Sequence, residues 1–77
     1  MSIMADTKLK TLREDLKLTQ EQLARKANLS ATVYRRAEYG QNISYTTARA
    51  ILAAINIYRR ERKLDLFTMD HLELNIV

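Results

Sequence analysis

Leu9, Leu12 and Leu16 recur at spacings of three and four residues with charged side chains between them. A period near 3.6 sets all three on one face of a helix. Asp6 or Thr7 stands where a cap belongs, so the pattern predicts a first helix running to about Lys17. Leu23, Ala24 and Ala27 form the next inward face, just after Thr19-Gln20-Glu21-Gln22. That tetrapeptide fits a capping box, with the Thr19 hydroxyl accepting from an N3 amide and Gln22 reaching back to the cap. Asn28 then breaks the pattern. Asparagine is the commonest non-glycine residue at positive φ, so a tight turn is predicted there with Leu29 tucked beneath it. Ser30 caps a third helix, Ala31–Tyr39, whose inward side is Tyr34 and Ala37. Gly40 stands where a left-handed residue ends a helix.

Ser44 opens a fourth pattern, in which Thr47, Ala48, Ile51, Leu52 and Ile55 make one apolar stripe. No glycine or proline interrupts Asn56 to Lys63, so this helix is expected to continue to about Arg62. Leu64 to Phe67 reads as a connection, and Thr68 as the cap of a short turn through Leu72. Leu72, Leu74 and Ile76 alternate, a weak strand signal with which a helix or a disordered tail also competes. The expected organisation is a flexible N-terminus at 1–5, a helical domain at 6–63 and a C-terminal segment at 64–77.

Composition narrows the class. The 77 residues include one glycine, no proline and no cysteine. A fold built on hairpins needs more turn residues than this, so the expected class is all-α, a compact bundle of about five helices. Without cysteine there is no disulfide and no thiolate-bound zinc, and His71 stands alone, so neither a metal nor another cofactor is expected. No nucleophile–base pair, glycine-rich phosphate loop or paired carboxylates can be found, and Asp65 and Asp70 are isolated; an enzyme is not expected. The longest apolar run, Ala50 to Ile55, is far too short to cross a bilayer. The N-terminus lacks the layout of a secretory signal, which makes the cytoplasm the expected location.

The net charge is +4, and it is unevenly spread. All 13 Lys and Arg side chains lie in residues 1–63, whereas 64–77 holds only Asp65, Asp70 and Glu73. A basic body with an acidic tail suits a polyanionic partner approached from the body.

Two short helices joined by a tight turn, the second carrying paired arginines, are a means of setting a helix into the major groove of DNA. Residues from about Leu9 to Asn56 resemble the Cro/phage-repressor type of helix-turn-helix, the XRE family. The resemblance is carried by Leu12-Arg13-Glu14, by Leu18-Thr19-Gln20-Glu21-Gln22-Leu23-Ala24, by Leu29-Ser30, and by Glu38 followed at two residues by Gly40. It implies that Ala31–Tyr39 is the recognition helix, with Ala31, Thr32, Arg35 and Arg36 facing base edges or nearby phosphates. It implies a phosphate contact for Gln20, and an ion pair between Arg13 and Glu38 tying the first helix to the end of the recognition helix. Asn28 replaces a frequent glycine. Tyr34 replaces a β-branched aliphatic and Ala37 a larger apolar residue, a pair of changes that could conserve core volume.

The same side chains can be argued without the family. With Tyr34 and Ala37 inward, Arg35 and Arg36 lie on the opposite arc, with Thr32 one turn earlier. Guanidinium forks match guanine O6 and N7, or a phosphate; a merely solvated helix face is the ordinary alternative. Arg35 is the expected base reader, Thr32 offers a methyl or a hydroxyl, and Val33 offers apolar contact at the edge. Gln20 sits at the positive end of its helix, suited to a phosphate. Gln41, Asn42, Tyr45 and Thr46 surround the start of the fourth helix as a second phosphate clamp. Arg59, Arg60, Arg62 and Lys63 suit the negative end of a helix.

The function expected is sequence-specific binding of double-stranded DNA by a transcriptional regulator, more often a repressor. One recognition helix covers too few base pairs for selectivity, so a homodimer on a palindromic site is expected. Apolar residues between Ile57 and Val77 supply a candidate dimerisation element. The alternative is a protein-interaction module, such as an antitoxin or a mobile-element accessory factor, in which the same fold binds a protein partner and DNA binding is secondary or lost.

Overall fold

Every helix starts at a hydroxyl residue. The computed structural model describes residues 7–77; the expected flexible stretch 1–5 and the alternative cap Asp6 lie outside the described residues. Five helices follow in order: α1 (Lys8–Asp15), α2 (Gln20–Lys26), α3 (Ala31–Glu38), α4 (Tyr45–Glu61) and α5 (Met69–Leu72). Thr7, Thr19, Ser30 and Ser44 each accept the backbone N–H of the third residue of the helix they cap. The capping box at α2 is complete, with Gln22 Oε1 accepting from the Thr19 N–H at 2.8 Å. At α5 the His71 ring does this work, its Nδ1 accepting from the Thr68 N–H at 3.0 Å.

The ends of α1 to α4 also share one device. The residue after each cap is left-handed: Lys17 (φ 62°), Asn28 (60°), Gly40 (78°) and Lys63 (59°). In each case two following amides fold back on last-turn carbonyls, as Leu18 N–H does to Arg13 and Lys17 N–H to Glu14, which satisfies groups the helix leaves unpaired. Asn28 and Gly40 take the conformations their residue types favour. Lysine carries no such signal, and α1 therefore stops at Asp15, short of the expected Lys17. Gly40→Ala is expected to destabilise by about 1 kcal/mol from φ strain, because a Cβ there meets nothing closer than Asn75 Nδ2 at 3.9 Å. Lys63→Gly removes such strain and is expected to raise the melting temperature by a few degrees where Gly40→Ala lowers it by roughly 4–8 °C. Thermal unfolding of the two variants checks both signs.

The core is one cluster. Leu9, Leu16, Leu23, Tyr34, Ile51, Ile55 and Leu72 are fully buried, and Leu12, Ala24, Ala27, Ala37, Ala48 and Ala54 pack with them. Leu29 and Leu52 are only partly covered. α1 packs on α3 and α5, α2 on α3 and α4, and α4 on α5, giving a body of 34 × 29 × 23 Å. The fold is all-α, as the pattern implies. Where the tail alternates Leu72, Leu74 and Ile76, the structure resolves the competition in parts: Leu72 ends α5, and Ile76 forms one parallel bridge with Ile43. No longer strand occurs among the described residues. Ile57, Leu64 and Leu66 remain substantially exposed.

Candidate nucleic-acid interface

α3 buries Tyr34, Ala37 and Glu38. These positions, three and four apart, fix the helix about its own axis and so decide what faces out. Thr32, Arg36 and Tyr39 are exposed, one turn apart in succession, while Ala31, Val33 and Arg35 flank that stripe half-buried. Neither the Arg35 nor the Arg36 guanidinium makes a hydrogen bond or ion pair among the described residues. Their donors are therefore not consumed by any described residue. Arg36, one turn from Thr32 and more exposed than Arg35, stands nearer the centre of the outward arc, although the sequence puts Arg35 first.

What holds α3 in this rotation is a buried polar cluster. Glu38 is 3 % exposed and Arg13 9 %, which in apolar surroundings is tolerable only with full pairing. The Arg13 Nε donates to Glu38 Oε2, Arg13 Nη2 donates to Oε1 at 3.3 Å, and Arg13 Nη1 donates to the Leu18 carbonyl at 2.7 Å. The Tyr34 hydroxyl donates to Glu38 Oε2 at 2.6 Å, and Gln20 Nε2 donates to Glu38 Oε1 at 3.0 Å. Three helices thus converge on one carboxylate. No buried side-chain polar atom is left unpartnered among the described residues. The Arg13–Glu38 pair is the one the resemblance implies; Tyr34 and Gln20 are additions to it. Tyrosine at position 34 does more than fill volume beside the small Ala37, because its hydroxyl supplies a buried donor an aliphatic residue lacks.

Gln20 was expected on phosphate, and its amide here is turned onto Glu38. A carboxamide has two N–H donors and one carbonyl, so this bond orients the group and leaves one donor over, beside the last turn of α3.

Burial pushes the Glu38 carboxyl up, but hydrogen bonds from Arg13, Tyr34 and Gln20 outweigh it and hold its pKa below the ordinary 4.5. The bond to Glu38 raises Arg13 above its ordinary value, and burial followed by Glu38 raises the Tyr34 phenol. A depressed carboxylate binds protons less readily folded than unfolded. Its stabilisation is complete above 4.5 and is lost as pH falls through the lower folded value. Denaturant melts across the acid range are expected to show this limb in the parent protein and a flatter one in Glu38→Gln.

The second group of expected contacts also lies outward. Gln41, Asn42, Tyr45 and Thr46 are all exposed. Ser44 occupies the cap through Thr47 N–H at 3.1 Å, which leaves the first-turn amides of α4 beside these side chains. Arg49 lies 5.9 Å over the Tyr45 ring and adds a cation to this end of α4. By contrast, Arg59 is taken up internally, stacked 3.8 Å over Phe67 and donating to the Asp65 carbonyl. Tyr39 and Arg49 are the outward residues that sequence reasoning passed over; the spacing of Tyr39 from Thr32 and Arg36, seven and three residues, was the available signal. Among the described residues no three His, Cys, Asp or Glu side chains gather as a metal site, and no helix is long and apolar enough to cross a membrane.

Two helices set by a capped tight turn, with the outer arc of the second carrying uncommitted arginines, define a DNA-binding helix-turn-helix domain. A helix-turn-helix family model matches residues 9–62, and the chain belongs to that family, the Cro/phage-repressor (XRE) type. No curated protein and no solved structure matches it.

Proposed function

We propose that this protein is a sequence-specific transcriptional repressor of the cytoplasm, binding a twofold-symmetric duplex as a homodimer and occluding a promoter. The observation that carries the reading is the outward arc of α3, where Thr32 and Arg36 stand together and no described residue engages the guanidinium of Arg35 or Arg36. Arg36 and Arg35 present forked donors to guanine or phosphate, while Thr32, Ala31 and Val33 contact the groove floor. Gln20, Gln41, Asn42, Tyr45 and Thr46 grip phosphates on either side and set the register. Arg13 and Glu38 act from inside, holding α3 at its angle.

A single helix reads few base pairs, and two copies would carry their recognition helices about 34 Å apart on one face of the duplex. The exposed apolar side chains Ile57, Leu64 and Leu66 supply a surface whose cover favours pairing. Selection of bound sequences from a random duplex pool tests the reading. Enrichment of a palindrome with half-sites one helical turn apart is expected. A pool that emerges unenriched, though the protein retains it, contradicts specific recognition, and an enriched asymmetric site contradicts the dimer.

A further inference from the structure

Residues 63–77 lie beyond the family match, yet the end of this segment returns to the loop between α3 and α4. Asn75 Nδ2 donates to the Gly40 carbonyl, Ile43 N–H donates to the Asn75 carbonyl at 2.9 Å, and Val77 N–H donates to the Ile43 carbonyl at 2.9 Å. Ile43 is 6 % exposed, and the tail takes both of its backbone polar groups. A buried amide and carbonyl without these partners would cost desolvation energy, so the loop's path depends on a strand segment more than thirty residues downstream. Gly40, at one end of that path, closes α3. Ser44, at the other, caps α4.

The exposed side chains of the path and of the helix it starts are Gln41, Asn42, Tyr45 and Thr46. The tail is anchored from its other side by Leu72, which is fully buried, on an α5 that packs against α1 and α4. None of its hydrogen bonds among the described residues goes to the outward side chains of α3. We infer that residues 73–77 are a brace that fixes the α3–α4 loop for phosphate gripping, with Asn75 as its positioning residue. The inference rests on the DNA-binding reading above. It adds that the affinity of the domain is set in part by a segment outside the two helices of the motif. Nothing in the tail needs to touch the duplex for this.

Asn75→Ala removes the bond to Gly40 and leaves the main-chain bonds of residue 75 in place. It is expected to weaken binding to the selected duplex about three- to tenfold, with base preference unchanged. Combined with Gln41→Ala, Asn42→Ala, Tyr45→Ala and Thr46→Ala, it should add little, because the side chains it positions are gone; combined with Arg36→Ala, it should act in full. Ile51→Val, a core change that removes none of the tail's hydrogen bonds, supplies a control of comparable stability loss, and all proteins are measured where they are fully folded. Amide hydrogen exchange without DNA gives the second readout, with the Ile43 amide protected in the parent and exchanging several-fold faster in Asn75→Ala, where the tail is held there by its main-chain bonds alone. Weakening that is the same with or without the clamp residues, or that Ile51→Val reproduces, overturns the brace while the DNA reading stands. An Ile43 amide that exchanges freely in the parent overturns it as well. A parent protein that binds no duplex removes the DNA reading and this inference together.

Discussion

Glu38→Ala is expected to unfold a large fraction of the protein under conditions where the parent is native. The substitution strands the Arg13 guanidinium with the Leu18 carbonyl as its remaining partner and leaves the Tyr34 hydroxyl without an acceptor inside the core. Breaking a buried pair from one side costs about 3–5 kcal/mol. A domain of this length has roughly 4–12 kcal/mol in total, so the loss takes most of a modest reserve. The same reasoning predicts that Arg13→Met combined with Glu38→Leu is less damaging than Glu38→Ala alone, because both charges leave together and apolar volume takes their place. Urea unfolding of the single and double variants decides this. A single variant within about 1 kcal/mol of the parent would mean that the cluster is far better hydrated than its burial indicates.

The second large effect concerns binding. Arg36→Ala is expected to cost about 1–3 kcal/mol on the selected duplex and to relax discrimination at one base pair. It should leave the melting temperature nearly unchanged, since the side chain is exposed and unpartnered among the described residues. Arg35→Ala, removing a half-buried side chain off the centre of the arc, is expected to cost less. Fluorescence anisotropy on the selected site and on single-base variants of it separates the roles. Equal weakening on every sequence, with a salt slope reduced by about one, would assign Arg36 to a phosphate.

The helices were legible because each carries its own punctuation. Thr19 with Gln22, Ser30, Ser44 and Thr68 announce starts, and Asn28 and Gly40 announce ends, through interactions that reach no further than four residues. The inward faces at Leu9, Leu23, Ala37 and Ile51 follow from period alone. Lys17 and Lys63 were not legible as left-handed residues, because lysine has no preference for that region and takes it here through the surrounding closure. The tail was ambiguous for a related reason: its bridge partner, Ile43, lies 33 residues away, and nothing local in Asn75-Ile76-Val77 names that partner. At the candidate site, the arginines and the Arg13–Glu38 pair could be singled out from sequence. The turn of Gln20 onto Glu38 and the donation from the Tyr34 hydroxyl could not, since both require the packing of α1, α2 and α3 against one another. Rotation of α3 leaves Arg36 more exposed than Arg35, and rotation is a property of that packing.

Chemical-shift mapping of the labelled protein titrated with its selected duplex tests the central claim most directly. The account predicts that the largest changes fall on Thr32, Arg35 and Arg36, with Gln20, Gln41, Asn42 and Thr46 next. Changes confined to the surface around Ile57, Leu64 and Leu66, with α3 silent, would contradict it.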